Sequence, residues 1–151
     1  MAVTTEDIAE AVKQLWAAAT TLSNPTTGLV KSIIMGRVPD PAANAVASPY
    51  TSFKVTDGLT QRIATNGYLQ TFTVEFKTWD ETGAADLGPI KVAIEAAFTK
   101  NTRTALTLAS TRALAILHSV KMPGALEEDE ATKNNKSVKV TTDRFEILCQ
   151  G

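Results

Sequence analysis

Between Leu69 and Trp79 the chain alternates without a fault. Phe72, Val74 and Phe76 are apolar, while Thr71, Thr73, Glu75 and Lys77 between them are polar. Successive side chains of a β-strand point to opposite faces, so this segment reads as a strand with one buried face and one wet face. The wet face is open to a partner. A preceding strand is expected from Tyr50 to Thr56, with Phe53 and Val55 on its apolar side. Asp57-Gly58 and Asn66-Gly67 carry turn chemistry, so the stretch between the two strands reads as a turn region. The alternating strand ends at Asp80-Glu-Thr-Gly83, and an amphipathic helix follows. Leu87, Ile90, Ile94, Ala97 and Phe98 form its apolar stripe. Its start is expected between Thr82 and Asp86, because Pro89 is tolerated only in a first turn. Ser48 to Phe98 is thus a β-β-α unit, which implies a sheet backed by helices.

Residues 5–22 carry the other helical pattern. Ile8, Val12, Leu15, Ala19 and Leu22 recur at spacings of three and four. Thr4 or Thr5 can cap the start, Glu6 and Asp7 suit the positive end of the helix dipole, and Ser23-Asn24-Pro25 stops it. Ile33-Ile34-Met35 reads as a short strand within Leu29 to Val38. Pro39 to Pro49 cannot be regular, since each proline removes a donor and restrains its predecessor. It is expected to be a long surface connection of the kind that often carries interactions.

In the C-terminal third, Leu106 and Leu108 open an extended region and Ala113 to Met122 reads as a strand broken by Pro123-Gly124. Glu127 to Glu130 and Thr132 to Lys136 read as a polar loop, and Val138 to Cys149 as the last strand. The apolar parity of that strand changes between Val138 and Val140 on one side and Phe145, Ile147 and Cys149 on the other. A β-bulge near Thr141 to Asp143 would account for the change. The element order α-β-β-β-α-β-β predicts an α+β domain: a mainly antiparallel sheet of about five strands, two helices packed on one face, and a long hairpin near the C-terminus. One domain spanning residues 1–151 is expected, since 151 residues can bury a real core.

Fifteen Lys and Arg stand against sixteen Asp and Glu, which argues against a nucleic-acid binder with its usual basic excess. The N-terminus shows no secretory pattern, and no window is apolar enough to span a membrane. Cys149 is the single cysteine and cannot form an internal disulfide, so folding in a reducing cytoplasm is expected. Cys149 shares a strand face with Phe145 and Ile147 and reads as a small buried hydrophobe.

No constellation for catalysis stands out. His118 shares strand parity with Leu114, Ile116 and Val120, which directs it to the core side or the sheet edge. Ser119 then faces the other way, so the two cannot form a nucleophile-base pair. Asp80, Glu81 and Asp86 could serve as paired carboxylates, but turn formation and helix capping explain them more simply. The glycines match no phosphate-binding loop, and one histidine and one cysteine supply no metal-ligand spacing. Trp16, Tyr50, Tyr68 and Trp79 are not interleaved with basic residues, so they read as core edges or interface anchors. The expectation is a non-enzymatic protein without cofactor or metal. The acids Glu127, Glu128, Asp129 and Glu130 read either as a solvated loop or as a charged loop projecting into a ring lumen or toward a partner.

Met35-Gly-Arg-Val-Pro39, then Ser48-Pro-Tyr-Thr-Ser-Phe-Lys-Val-Thr-Asp-Gly58, then Thr71-Phe-Thr-Val-Glu-Phe-Lys-Thr-Trp79, a helix, and a hairpin ending in Asp143-Arg-Phe-Glu-Ile147 form a recognisable order. The layout resembles the tail-completion or tail-terminator (neck) proteins of long-tailed bacteriophages. In that family a Pro-Tyr strand, a V-x-F-x-x-W/F strand and a terminal R-F-x-I strand recur in sequence. The resemblance implies a structural virion protein assembled in the host bacterial cytoplasm. It would form a hexameric ring that ends tail-tube growth and joins the tail to the head. The implied partners are further copies of the chain as a homohexamer, the tail tube protein and the head-tail connector protein, with no specific nucleic-acid sequence and no membrane. Thr71, Thr73, Glu75 and Lys77, with Glu127, Glu128, Asp129 and Glu130, are then the candidate assembly interface. The chain departs from the family pattern in its longer Pro39 to Pro49 loop and its Gly88-Pro89 helix start, which leaves its place in the neck open. Two other readings stand beside the terminator: a head-tail joining adaptor, and a non-viral cytoplasmic α+β protein-binding module.

Overall fold

The computed structural model describes residues 2–24, 28–30, 33–35, 49–64, 67–80, 86–109, 111–123, 127–131 and 137–151. Helix α1 spans Thr5–Ala18 and begins with a reciprocal cap. The Thr4 hydroxyl accepts from the Asp7 amide at 3.2 Å, and the Asp7 carboxylate accepts from the Thr4 amide at 2.9 Å. Ile8, Val12 and Leu15 of the expected stripe are buried, with Trp16 beside them. The helix does not run unbroken to Leu22. Ala19 leaves helical geometry at φ −82° and ψ 84°, and a single turn, α2 (Thr20–Ser23), follows. The break re-aims the chain so that Leu22 is fully buried, while the Trp16 indole donates to the Val30 carbonyl at 3.1 Å.

Among the described residues, seven strands form one sheet: β1 (Ile33–Met35), β2 (Tyr50–Ala64), β3 (Gly67–Asp80), β4 (Thr104–Thr107), β5 (Ala113–Lys121), β6 (Glu127–Ala131) and β7 (Ser137–Gln150). The order across the sheet is β1-β2-β3-β7-β5-β4, with β6 also pairing β7. All pairings are antiparallel except β1 with β2, which are parallel. The expected α+β architecture is therefore the observed one, with β2, β3, β7, β5 and β4 as its antiparallel body. Helix α3 (Gly88–Phe98) follows β3, and it begins later than the Thr82 to Asp86 window. Asp86 sits outside it, accepting from the Gly88 amide at 3.0 Å, and Pro89 occupies the first turn as expected.

Helices α1 and α3 pack on one face of the sheet. Phe76 lies at the centre of that contact. Its ring is 4.6 Å from Phe98, 5.8 Å edge-on from Phe145, 6.0 Å from Trp16 and 6.4 Å from Phe53, centroid to centroid. Each aromatic comes from a different element, so one side chain locks α1, β2, α3 and β7 together. Among the described residues, no helix is long and apolar enough to cross a membrane.

The structure corrects two turn and bulge expectations. Asp57-Gly58 does not end β2. The strand continues to Ala64, and the register shifts between Asp57 and Thr60, so that Gly58 and Leu59 together oppose Thr71. Glycine is required here because a Cβ on Gly58 would lie 2.6 Å from the Thr71 carbonyl oxygen. Asn66, the first residue of the second expected turn, lies outside the described residues; Gly67 is paired with Ala64. The bulge expected in β7 near Thr141 to Asp143 is absent, and β7 pairs with β3 in unbroken register from Lys139 to Gln150. Its parity changes because different faces are buried along its length. Phe145, Ile147 and Cys149 lie under the helices, whereas Val140 is buried on the opposite face beside its partner Trp79. The irregularity sits in β5 instead, between Ile116 and His118.

Candidate interface on the sheet face opposite the helices

The face of the sheet opposite the helices is graded from one end to the other. At one end Tyr50 and Trp79 stack with centroids 6.4 Å apart and planes 15° apart, and Val140 is buried next to them in register. The Trp79 indole donates to the Ser52 hydroxyl at 2.9 Å. This end is closed and apolar. In the middle, Lys54, Glu75 and Arg144 stand in register on β2, β3 and β7, a charge row of alternating sign. The Arg144 Nε donates to Glu75 Oε2 at 2.7 Å. At the far end the face becomes small-sided, with Ala105, Ala113 and Ala115 on β4 and β5.

Thr71, Thr73, Glu75 and Lys77 all lie on this face and are half-buried. The structure therefore brings these four expected residues together. It also shows that the two charged ones have partners within the chain: Glu75 holds Arg144, and the Lys77 ammonium lies 5.8 Å from the Trp79 ring centroid.

Glu127, Glu128, Asp129 and Glu130 are not in a loop. They form β6, in register with Thr141, Val140, Lys139 and Val138 of β7. Acidic residues have poor intrinsic strand preference, but β7 extends past the end of β5 and offers its backbone for pairing. The ladder runs one residue past β5, where the Met122 amide donates to the Arg144 carbonyl at 2.8 Å. Segments β5 and β6 thus form one interrupted arm of a long hairpin with β7, the C-terminal hairpin that was expected. The remainder of the expected loop, Thr132 to Lys136, lies outside the described residues.

The β5 bulge reverses the parity expected for His118. Ile116 is buried toward the helices, Leu117 takes up the extra position, and His118 emerges exposed while Ser119 is 2% exposed in the core. Among the described residues the Ser119 hydroxyl has no hydrogen-bond partner. The two side chains still face opposite ways, as the alternation requires. Asp80 is buried at the end of β3 and Asp86 is exposed before α3, so these two carboxylates occupy unlike environments, and Glu81 lies outside the described residues. Among the described residues, no group of three or more His, Cys, Asp or Glu side chains gathers as a metal site would.

One charged cluster was missed in the sequence. Asp143 is 1% exposed on β7 under α3, with Lys91 Nζ at 3.1 Å and Lys121 Nζ at 3.7 Å. Lys121 also reaches Glu95 Oε2 at 3.1 Å. The hydrogen bond to Glu95 is the largest of the contacts that hold the Lys121 pKa above its ordinary value; the Asp143 charge adds to it, against partial burial. A buried carboxylate is costly unless paired, so this network ties α3 to the sheet in one register. The signal was the core parity that Asp143 shares with Phe145 and Ile147, which the expected bulge had obscured.

No family model matches the chain, and no curated protein matches it.

Proposed function

We propose that this chain is a structural subunit of a self-assembling ring, of the kind that ends the tail tube of a long-tailed bacteriophage and joins it to the head connector. One observation carries the reading. The three segments on which the resemblance rests fall on the adjacent strands β2, β3 and β7: Pro49-Tyr50 opens β2, Val74 to Trp79 lies on β3 and Arg144 to Ile147 on β7. They pair residue by residue, Tyr50 with Trp79, Val74 with Phe145 and Glu75 with Arg144. The motif is thus one continuous patch of sheet, from which Phe76 and Phe145 reach the helices while Glu75 and Arg144 face away.

A sheet face ordered by cross-strand pairs, with a charge row across its middle, suits contact with other protein surfaces better than it suits a small ligand. A head-tail joining adaptor would use the same face and edges, and the tube or connector end to which the ring binds separates the two. The test is electron microscopy of the purified chain together with inspection of the neighbouring genes. Rings with a central lumen, and portal, major tail protein and tape-measure genes nearby, are expected. Dispersed monomers that fail to decorate tail tubes would sink the reading.

A further inference from the structure

Toward one end of the sheet, the layer beneath the helices changes from apolar to polar on three strands at once. On β2 Phe53 gives way to Thr51, on β3 Phe76 to Thr78, and on β7 Phe145 to Asp143 and Thr141. Thr51, Thr78 and Thr141 stand in one register row, and all three, like Asp143, are at most 1% exposed. The Thr51 and Thr78 hydroxyls bond to each other at 2.9 Å. Asp143 Oδ1 meets Lys91 Nζ at 3.1 Å and Lys121 Nζ at 3.7 Å. Its other oxygen, Oδ2, and the Thr141 hydroxyl have no hydrogen-bond partner among the described residues. Buried polar atoms are paired in the great majority of cases, with protein groups or with ordered water, because leaving them bare is costly.

We infer that Thr141 and Asp143 hold one buried water, which accepts from the Thr141 hydroxyl and donates to Asp143 Oδ2. Two residues on the same side of a strand stand about 7 Å apart at the backbone, a gap that one water between two side chains spans. Charge selects the ligand. Lys91 and Lys121 are balanced by Asp143 and Glu95, so the site calls for a neutral guest. Two ammonium groups beside Asp143 repel a metal ion, and a carboxylate oxygen, which can only accept, repels an anion. A water both donates and accepts, as these two atoms together require. It joins the ion network under α3 to the threonine row, and it does so whether or not the chain assembles into a ring.

The test is a high-resolution crystal structure of the full chain, with melting of Thr141→Val beside it. A water within about 3.2 Å of both Thr141 Oγ1 and Asp143 Oδ2 is expected. Valine keeps the shape of threonine and removes the hydroxyl. With the water in place, that change strips it of a partner and should lower Tm by about 2–4 °C. With no guest in the site, valine relieves a bare buried hydroxyl and Tm should hold or rise. A direct Thr141–Asp143 contact, or an ion at the site, would overturn the inference, and so would a Thr141→Val variant that melts at or above the parent temperature.

Discussion

Glu75 and Arg144 oppose each other in register across β3 and β7, and their side chains meet at 2.7 Å on the face opposite α1 and α3. That pair is partly in water, with 26% and 46% of the two side chains exposed. Its contribution to folding is therefore small, roughly 0.2–1 kcal/mol. A double-mutant cycle with Glu75→Gln and Arg144→Gln should return a coupling in that range by urea denaturation. If the face is an interface, the same substitutions should alter association far more than they alter stability. Equal small effects on both would remove this face from the interface.

Gly58 has a stricter role. Its missing side chain lets the β2 bulge close on the Thr71 carbonyl, and the obstacle a methyl group would meet is backbone, which cannot swing aside. Gly58→Ala should cost about 1–3 kcal/mol, read as a lower urea midpoint. A neutral result would mean that the bulge is not as tight as described.

The pH dependence lies on the alkaline side. Burial pushes the Cys149 thiol from 9.0 up to about 12. The folded chain keeps that proton where the unfolded chain loses it. The associated stability is complete below pH 9.0 and is lost as pH rises toward about 12. Lys121, also raised, acts in the same sense, its contribution fading as pH climbs past the ordinary 10.5 through the higher folded value. Thermal melts should show a plateau through neutral pH and a decline above pH 9.0. A thiol reagent at about pH 8 should leave the native chain unlabelled and modify it fully in denaturant. Fast labelling of the native chain would contradict the burial.

The acidic strand β6 offers a cleaner separation of folding from assembly. Replacing Glu127, Glu128, Asp129 and Glu130 together with Ser or Asn removes four like charges from one edge of β7's hairpin. Assembly yield should fall while the Tm holds or rises slightly, because like charges on one strand repel. An unchanged yield would assign these residues to a solvated arm.

Much of the architecture was legible because it rests on local periodicity. Phe72, Val74 and Phe76 announced a half-buried strand, and a cap at Thr4 or Thr5 followed by Glu6 and Asp7 announced the start of α1. The misreadings within the sheet share a different origin: they concern pairing across strands. Asp57-Gly58 has the composition of a turn, yet a partner strand with an accepting backbone turned it into a bulge. The parity change in β7 looked like a bulge from within that strand, when the cause was Trp79 and Tyr50 burying Val140 from the far face. Glu127 to Glu130 read as loop because nothing in an acidic run reveals an unpaired stretch of β7 waiting beside it. The four residues of the β3 face were placed together correctly, but their partners Arg144 and Trp79 could be known only from the register.

The most direct test of the central claim is the mass of the chain in solution by sedimentation equilibrium across a wide concentration range. The account predicts a closed species of roughly six copies, or association that climbs toward it and stops. A strict monomer at the highest concentration reached would contradict it.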